Sequence, residues 1–445
     1  MDIRGLKIRN KDIYSMIFSG ILYFILGILF LVQKQTVYFA VKGFLNLLII
    51  LFVVAAIFQI IGFSPVKNKN LTSISRVIGF LANLIMASIL YFKPEVVVAL
   101  VPIFFGIYAI SSGIIRILIY IQYRRNNVGG RILVILGAII LIVLGTLIIT
   151  HPLTAILPIS NIIGLFFVFY GISFIMDGLI EGLSIEVKDS FKRRIRISLP
   201  VFMVALIPHN ILMKINKSLE TEELNKKDFV QFKENTPFDL EVLIHVAETG
   251  TAAFGHVDIW FDGKVMTYGS YDEDTYKFRG AISDGVFIEI DDKQKYIEFS
   301  QKEMDKTMFG FGLKLTEEQK ERVQEKIDEL KENLYQWKPK SMVDEEKGIE
   351  GIRRKDYASK VYDNLKGKFY KFIKGPFKTY FVMNTNCVLL ADKIVGQSGI
   401  DLVKIQGLIS PGAYFEFFNR EFSRKNSFVI SRSIYYKEDK NKMDQ

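Results

Sequence analysis

The sequence predicts a two-part protein: an α-helical membrane domain of six or seven spans built as three hairpin repeats, followed by an α+β domain in water. Two observations carry that fold class. Hydrophobic residues make up 50% of the 445 positions and mean hydropathy is +0.25, too apolar for an ordinary soluble chain. The excess ends near residue 215, and from residue 236 charged, aromatic and β-branched residues alternate as they do in water-exposed strands and helices. The net charge of +10 suits a protein lying against anionic headgroups. The same charge would attract nucleic acid, but no nucleic-acid partner is expected.

Six apolar runs, at approximately 13–32, 37–62, 77–92, 98–120, 132–150 and 156–183, approach the ~20 residues needed to cross a bilayer. "QKQT", "KPEV" and "HPLT" join them in pairs, giving three hairpins. The second and third open alike, "RVIGFLANLIMASILYFKPE" and "RILVILGAIILIVLGTLIITHP", an internal repeat of about 55 residues. Over about 170 residues this pattern resembles the HdeD-like family of repeat membrane proteins. The spans hold no carboxylate or histidine cluster of the kind that marks an ion path, since Asp177 and Glu181 lie near an end, so anchoring is expected rather than transport.

Lysine and arginine orient the spans. Arg4, Lys7, Arg9 and Lys11 precede the first, Lys67, Lys69 and Arg76 follow the second, and Arg124, Arg125 and Arg131 follow the fourth. Lys188, Lys192, Arg193, Arg194 and Arg196 follow the sixth, whereas the opposite side offers Lys34 and Lys93, with Lys42 just inside a span. The N-terminus is therefore expected to be cytoplasmic. Residues 197–213 are apolar but carry Pro200, Pro208 and His209, and either cross or lie in the interface. A crossing puts the following domain outside the cell, and no crossing leaves it inside. The division expected is a membrane domain at 1–185, a basic linker at 186–235 with the undecided segment at 197–213, a catalytic domain at 236–425 and a polar tail at 426–445.

In the second half, "FDLEVLIHVAE", "AFGHVDIWFDGKVMTYGSYD", "GVFIEI" and "KYIEFS" read as strands. "KLTEEQKERVQEKIDELKENL" reads as a helix, with Thr316 and Gln319 forming a capping box and Val323, Ile327, Leu330 and Leu334 an apolar stripe. The basic, aromatic stretch Lys366 to Lys378 has two readings of equal weight: a strand pair with solvated lysines, or a lipid-facing edge entered by Phe369, Tyr370, Phe372 and Phe377.

Cys387, the only cysteine, sits in "FVMNTNCVLLADKIVG" where a strand gives way to a helix. One cysteine excludes an intrachain disulfide and a cysteine-based zinc site, and neither metal nor cofactor is expected. Asn386 can cap a helix from Cys387 to Ile394 closed by Gly396, and a thiol at a helix N-terminus is favoured as thiolate. The competing reading is an inert, buried thiol. A nucleophile also needs a base. His151 lies in a hairpin turn, His209 in the undecided segment, and His245 in an alternating strand where a structural role is expected. His256 follows a small-residue turn, at a strand edge that can open onto a cleft.

"FGHVDIWFDGKVMTYGSYD" followed by "NTNCVLLADKIVG" resembles the circularly permuted branch of the NlpC-type papain fold, which includes lecithin retinol acyltransferase. The resemblance spans about residues 236 to 420, with a "SPG" turn at 410–412, and has the histidine strand before the cysteine helix. It implies Cys387 as nucleophile, His256 as general base and a third polar residue to orient the imidazole. Parity leaves that residue open. If "DG" at 262 and 263 is a two-residue turn, His256 lies opposite Gly269 on a face shared with Thr267 and Tyr271; a three-residue loop puts Tyr268 there. The family spaces its orienting residue as in the second case but typically uses histidine, so Tyr268 is a departure, and Asp258 on the same face as His256 is the alternative. Asn386 or the Cys387 amide would supply an oxyanion hole.

Beside a membrane, a Cys–His pair suits lipid substrates. The expected reaction is ping-pong acyl transfer: Cys387 takes a fatty acyl chain from a membrane phospholipid, and an amine removes it. The layout is similar to the NlpC-type component of the lipoprotein N-acylation system of low-GC Gram-positive bacteria. That similarity implies a lipoprotein α-amine acceptor, an outward catalytic domain and a second membrane protein as partner. The alternatives are a cysteine amidase, peptidase or phospholipase acting on envelope substrates, and a non-catalytic, membrane-tethered binding module.

Overall fold

The computed structural model describes residues 10–32, 34–61, 73–154, 156–181, 229–232, 237–246, 255–304, 307–349, 351–398, 411–423 and 427–436. The undecided segment 197–213 and His209 lie outside these. The chain divides into two compact units: one holds 16–120 and 130–176, and the other holds Met1–Ser15 and Ile121–Gly129 with the chain from Asp177 onward.

Six apolar helices dominate the first half: α1 (Asn10–Val32), α2 (Lys34–Ile61), α3 (Ser73–Phe92), α4 (Pro94–Arg125), α5 (Arg131–Thr150) and α6 (Ile156–Glu181). Lys42–Gln59, Pro94–Arg125, Arg131–Thr150 and Pro158–Met176 are long and apolar enough to cross a membrane; Ile17–Val32 and Val77–Phe92 are shorter apolar helices. Ile132, Leu133, Ile140 and Leu147 are exposed on α5, as expected where lipid is the solvent. Small residues bring α4 and α5 together. A Cβ added to Gly145 would lie 2.7 Å from the Gly106 carbonyl oxygen, and one added to Gly113 would lie 2.9 Å from that of Ala138. Gly20 with Gly171 and Gly27 with Gly164 do the same for α1 and α6. Both of these close approaches join helices of different hairpins rather than the two helices of one hairpin.

The second half builds a sheet of nine strands: β1 (Phe229–Phe232), β2 (Leu240–Val246), β3 (His256–Phe261), β4 (Lys264–Gly269), β6 (Val286–Ile290), β7 (Thr307–Leu313), β8 (Leu334–Gln336), β9 (Lys368–Phe372) and β11 (Val429–Tyr435). Their order is β1-β11-β7-β2-β3-β4-β6-β9-β8, with every described neighbour pair antiparallel. β5 (Ile282–Asp284) and β10 (Thr379–Phe381) pair separately. Strand alternation sends Val242, Ile259 and Phe311 to a core shared with α8 (Glu317–Lys331), α11 (Cys387–Val395) and α12 (Pro411–Ser423). Leu243, Val265 and Ile288 enter a second core with α7 (Lys293–Lys302) and α10 (Tyr357–Leu365). α9 (Lys340–Glu346) completes the described α-helices of the second half.

Four expectations are corrected. "KYIEFS" is not a strand but part of α7, because Asp292 caps it by accepting from the Lys295 N–H at 3.0 Å, and Tyr296, Ile297, Phe299 and Ser300 form its buried face. The tail at 426–445 contains β11, paired with both β1 and β7; buried Ser431 and Ser433 hide its strand character in the sequence. β1 likewise lies within the stretch read as linker. Phe369, Phe372 and Phe377 are buried core residues rather than lipid-facing ones, and Lys371 is buried against Asp272 at 2.6 Å and Asp284 at 2.9 Å.

Candidate active site

The β2–β3 ladder sets His245 opposite His256, with Asp258 opposite Leu243. At the β3–β4 hairpin Phe261 pairs with Lys264, so Asp262 and Gly263 form a two-residue loop with φ of 46° and 76°. That choice of turn fixes the neighbours of His256. Thr267 Oγ1 and the Tyr271 hydroxyl each lie 2.9 Å from His256 Nε2 and 2.8 Å from each other. Tyr268 is turned to the opposite face, where its hydroxyl donates to the Phe377 carbonyl at 2.9 Å; the expectation that Tyr268 orients the histidine is therefore corrected.

Asp258 occupies the centre of the cluster. One carboxylate oxygen lies 2.7 Å from His256 Nε2, and the other lies 2.6 Å from His245 Nε2 and accepts from the Tyr296 hydroxyl. Its side chain has no exposure to solvent. Burial on its own would push this carboxyl up, but His256 and then His245 hold it well below the usual carboxylate range. Burial also opposes charging His256. Attraction to Asp258, then to Cys387, with hydrogen bonds to both, outweighs that and raises its pKa to about 10. At neutral pH the ring is therefore an imidazolium.

Cys387 opens α11 and is 3% exposed. Asn386 is the N-cap: its side-chain oxygen accepts from the Leu389 N–H at 3.0 Å while its amide donates to the Val382 carbonyl at 3.0 Å. Both ends of that side chain are committed to the backbone around the cap. The loop before Cys387 is also held from a distance in sequence. Gln122, in the last turn of α4 and within the same compact unit, donates to Thr385 Oγ1 at 2.6 Å and to the Thr379 carbonyl at 2.9 Å.

Among the described residues, no group of His, Cys, Asp and Glu is arranged to hold a metal ion. His151 is exposed in the α5–α6 connection. His245, Tyr296 and Gln122 belong to the site or its support but were not picked out by the sequence. His245 was legible in principle, since a two-residue "DG" turn puts Asp258 and His256 on one face and an antiparallel β2 brings a second histidine beside them. Gln122 carried no signal, because nothing in a membrane helix announces a partner some 260 positions later.

Apolar helices and a sheet domain bearing a Cys–His–Asp cluster define the class: a multi-pass membrane protein with a thiol site in its second half. The family described as "Short repeat of unknown function (DUF308)" matches residues 77–143 and 136–184, so the N-terminal region contains the HdeD-like repeat. No curated protein and no solved structure matches the chain.

Proposed function

We propose that the second half is a permuted NlpC-type, papain-like domain that performs acyl transfer from a membrane phospholipid to an amine. The observation that carries this reading is His256 set 2.7 Å from a fully buried Asp258, its charged form supported by Asp258 and by Cys387, which opens a capped helix. Strand and helix also follow the permuted order. In the first half-reaction the Cys387 sulfur attacks an ester carbonyl: a C–S bond forms, the C–O bond breaks, and the His256 imidazolium gives its proton to the departing lysophospholipid oxygen. In the second, an amine attacks the thioester, a C–N bond forms as the C–S bond breaks, and neutral His256 takes the amine proton. Asp258 keeps the ring oriented and supports its charged form. The resemblance points to a lipoprotein α-amine as acceptor, with a second membrane protein to present it. Water in place of the amine would make the same site a phospholipase.

The test is intact-mass spectrometry of the detergent-purified protein incubated with phospholipid. A hydroxylamine-labile adduct of fatty-acyl mass is expected on the wild type and not on Cys387→Ser or His256→Ala. No adduct on the wild type, together with a thiol that iodoacetamide alkylates no faster than free cysteine, would return Cys387 to a packing role.

A further inference from the structure

Charge and contact, two independent observations, bear on which side of the membrane the thiol site occupies. The α4–α5 connection carries Arg124, Arg125 and Arg131, whereas the α3–α4 connection offers Lys93 and the "HPLT" connection no lysine or arginine. Basic connections stay in the cytoplasm, so the end of α4 is a cytoplasmic end. That end is built into the unit containing Cys387. Besides the bonds from Gln122, the Gly375 N–H donates to the Asn126 carbonyl at 3.1 Å and Thr379 Oγ1 donates to Asn126 Oδ1 at 3.1 Å. Gln122 is 7% exposed and Asn126 3%. Gln122 Nε2, Asn126 Oδ1 and the Asn126 carbonyl are thus committed to the loop that presents the sulfur. An odd number of crossings between Glu181 and Phe229 would separate Thr385 from Gln122 by a hydrocarbon layer of about 30 Å. No hydrogen bond spans that distance.

We infer that the Cys387 site stands on the cytoplasmic side of the membrane, at the end of α4. Resting on the acyl-transfer reading, its acyl donor is then an inner-leaflet phospholipid and its acceptor an amine reachable from that leaflet. This reverses the outward domain that the lipoprotein resemblance implies.

The experiment reads sidedness without catalysis. In a Cys387→Ser background, single cysteines are placed at exposed positions: Leu153→Cys between α5 and α6, Gly129→Cys between α4 and α5, and Glu332→Cys in the sheet domain. Gln336→Cys repeats the last reading if Glu332→Cys fails to accumulate. With an impermeant maleimide on intact cells, Leu153→Cys is expected to label, while Gly129→Cys and the sheet-domain cysteine label only after permeabilisation. Labelling of the sheet-domain cysteine in intact cells overturns the inference, whether or not Gly129→Cys labels with it. Because every variant lacks the sulfur, a failure of the acyl-transfer reading in the wild type leaves this result standing.

Discussion

Asp258 touches two imidazoles and a phenol, and the direction of its influence can be worked out. A group whose pKa is raised by folding, as that of His256 is, contributes stability below its unfolded value that is lost as pH rises through about 10. Asp258, held low, contributes stability above its unfolded value that is lost as pH falls. Acylation that needs the His256 proton should therefore hold steady through neutral pH and decline as pH passes about 10. Asp258→Asn removes the main attraction on that proton. The declining limb should move toward the ordinary histidine value of about 6.5, and the acylation rate should fall by roughly 10²–10⁴-fold. A stopped-flow pH profile of adduct formation checks both, and an unmoved limb would show that Asp258 serves packing alone.

Helices and turns were legible where the signal was local. The capping box at Thr316 and Gln319 and the cap at Asn386 form as the side chains dictate, and the six apolar helices begin and end close to the apolar runs. The β3–β4 turn was legible only as a pair of alternatives, because two or three loop residues fit the same letters and a single step in register exchanges Thr267 for Tyr268. β11 was missed because Ser431 and Ser433, buried at the sheet, read as solvent-facing. The Gly106–Gly145 approach was invisible for a related reason: a glycine-rich span does not name its partner. It can be tested. Gly106→Leu drives a side chain into Ile149 and the Gly145 carbonyl and should cost about 1–3 kcal/mol. Gly129→Leu meets nothing within 4 Å and should leave the melting temperature in detergent unchanged.

The unit that holds Cys387 is tied together by pairings distant in sequence. Gln122 and Asn126 hold the loop before Cys387, and β11 closes the sheet between β1 and β7. A truncation after Phe428 should therefore do more than trim an end. It exposes the ladder edges of β1 and β7, and the shortened protein should elute as aggregate from size-exclusion chromatography in detergent, whereas a trimmed polar tail would leave a monodisperse peak.

That strand also sets a clock. On a ribosome, β11 emerges after every other described strand, and β1 has waited through two hundred positions for the neighbour it pairs with. Until then the nascent domain carries two unzipped borders, and His256, Asp258 and Cys387 rest on an unfinished scaffold. The ground on which the three residues stand is thereby completed only once the late strand has emerged and slotted between two much earlier ones.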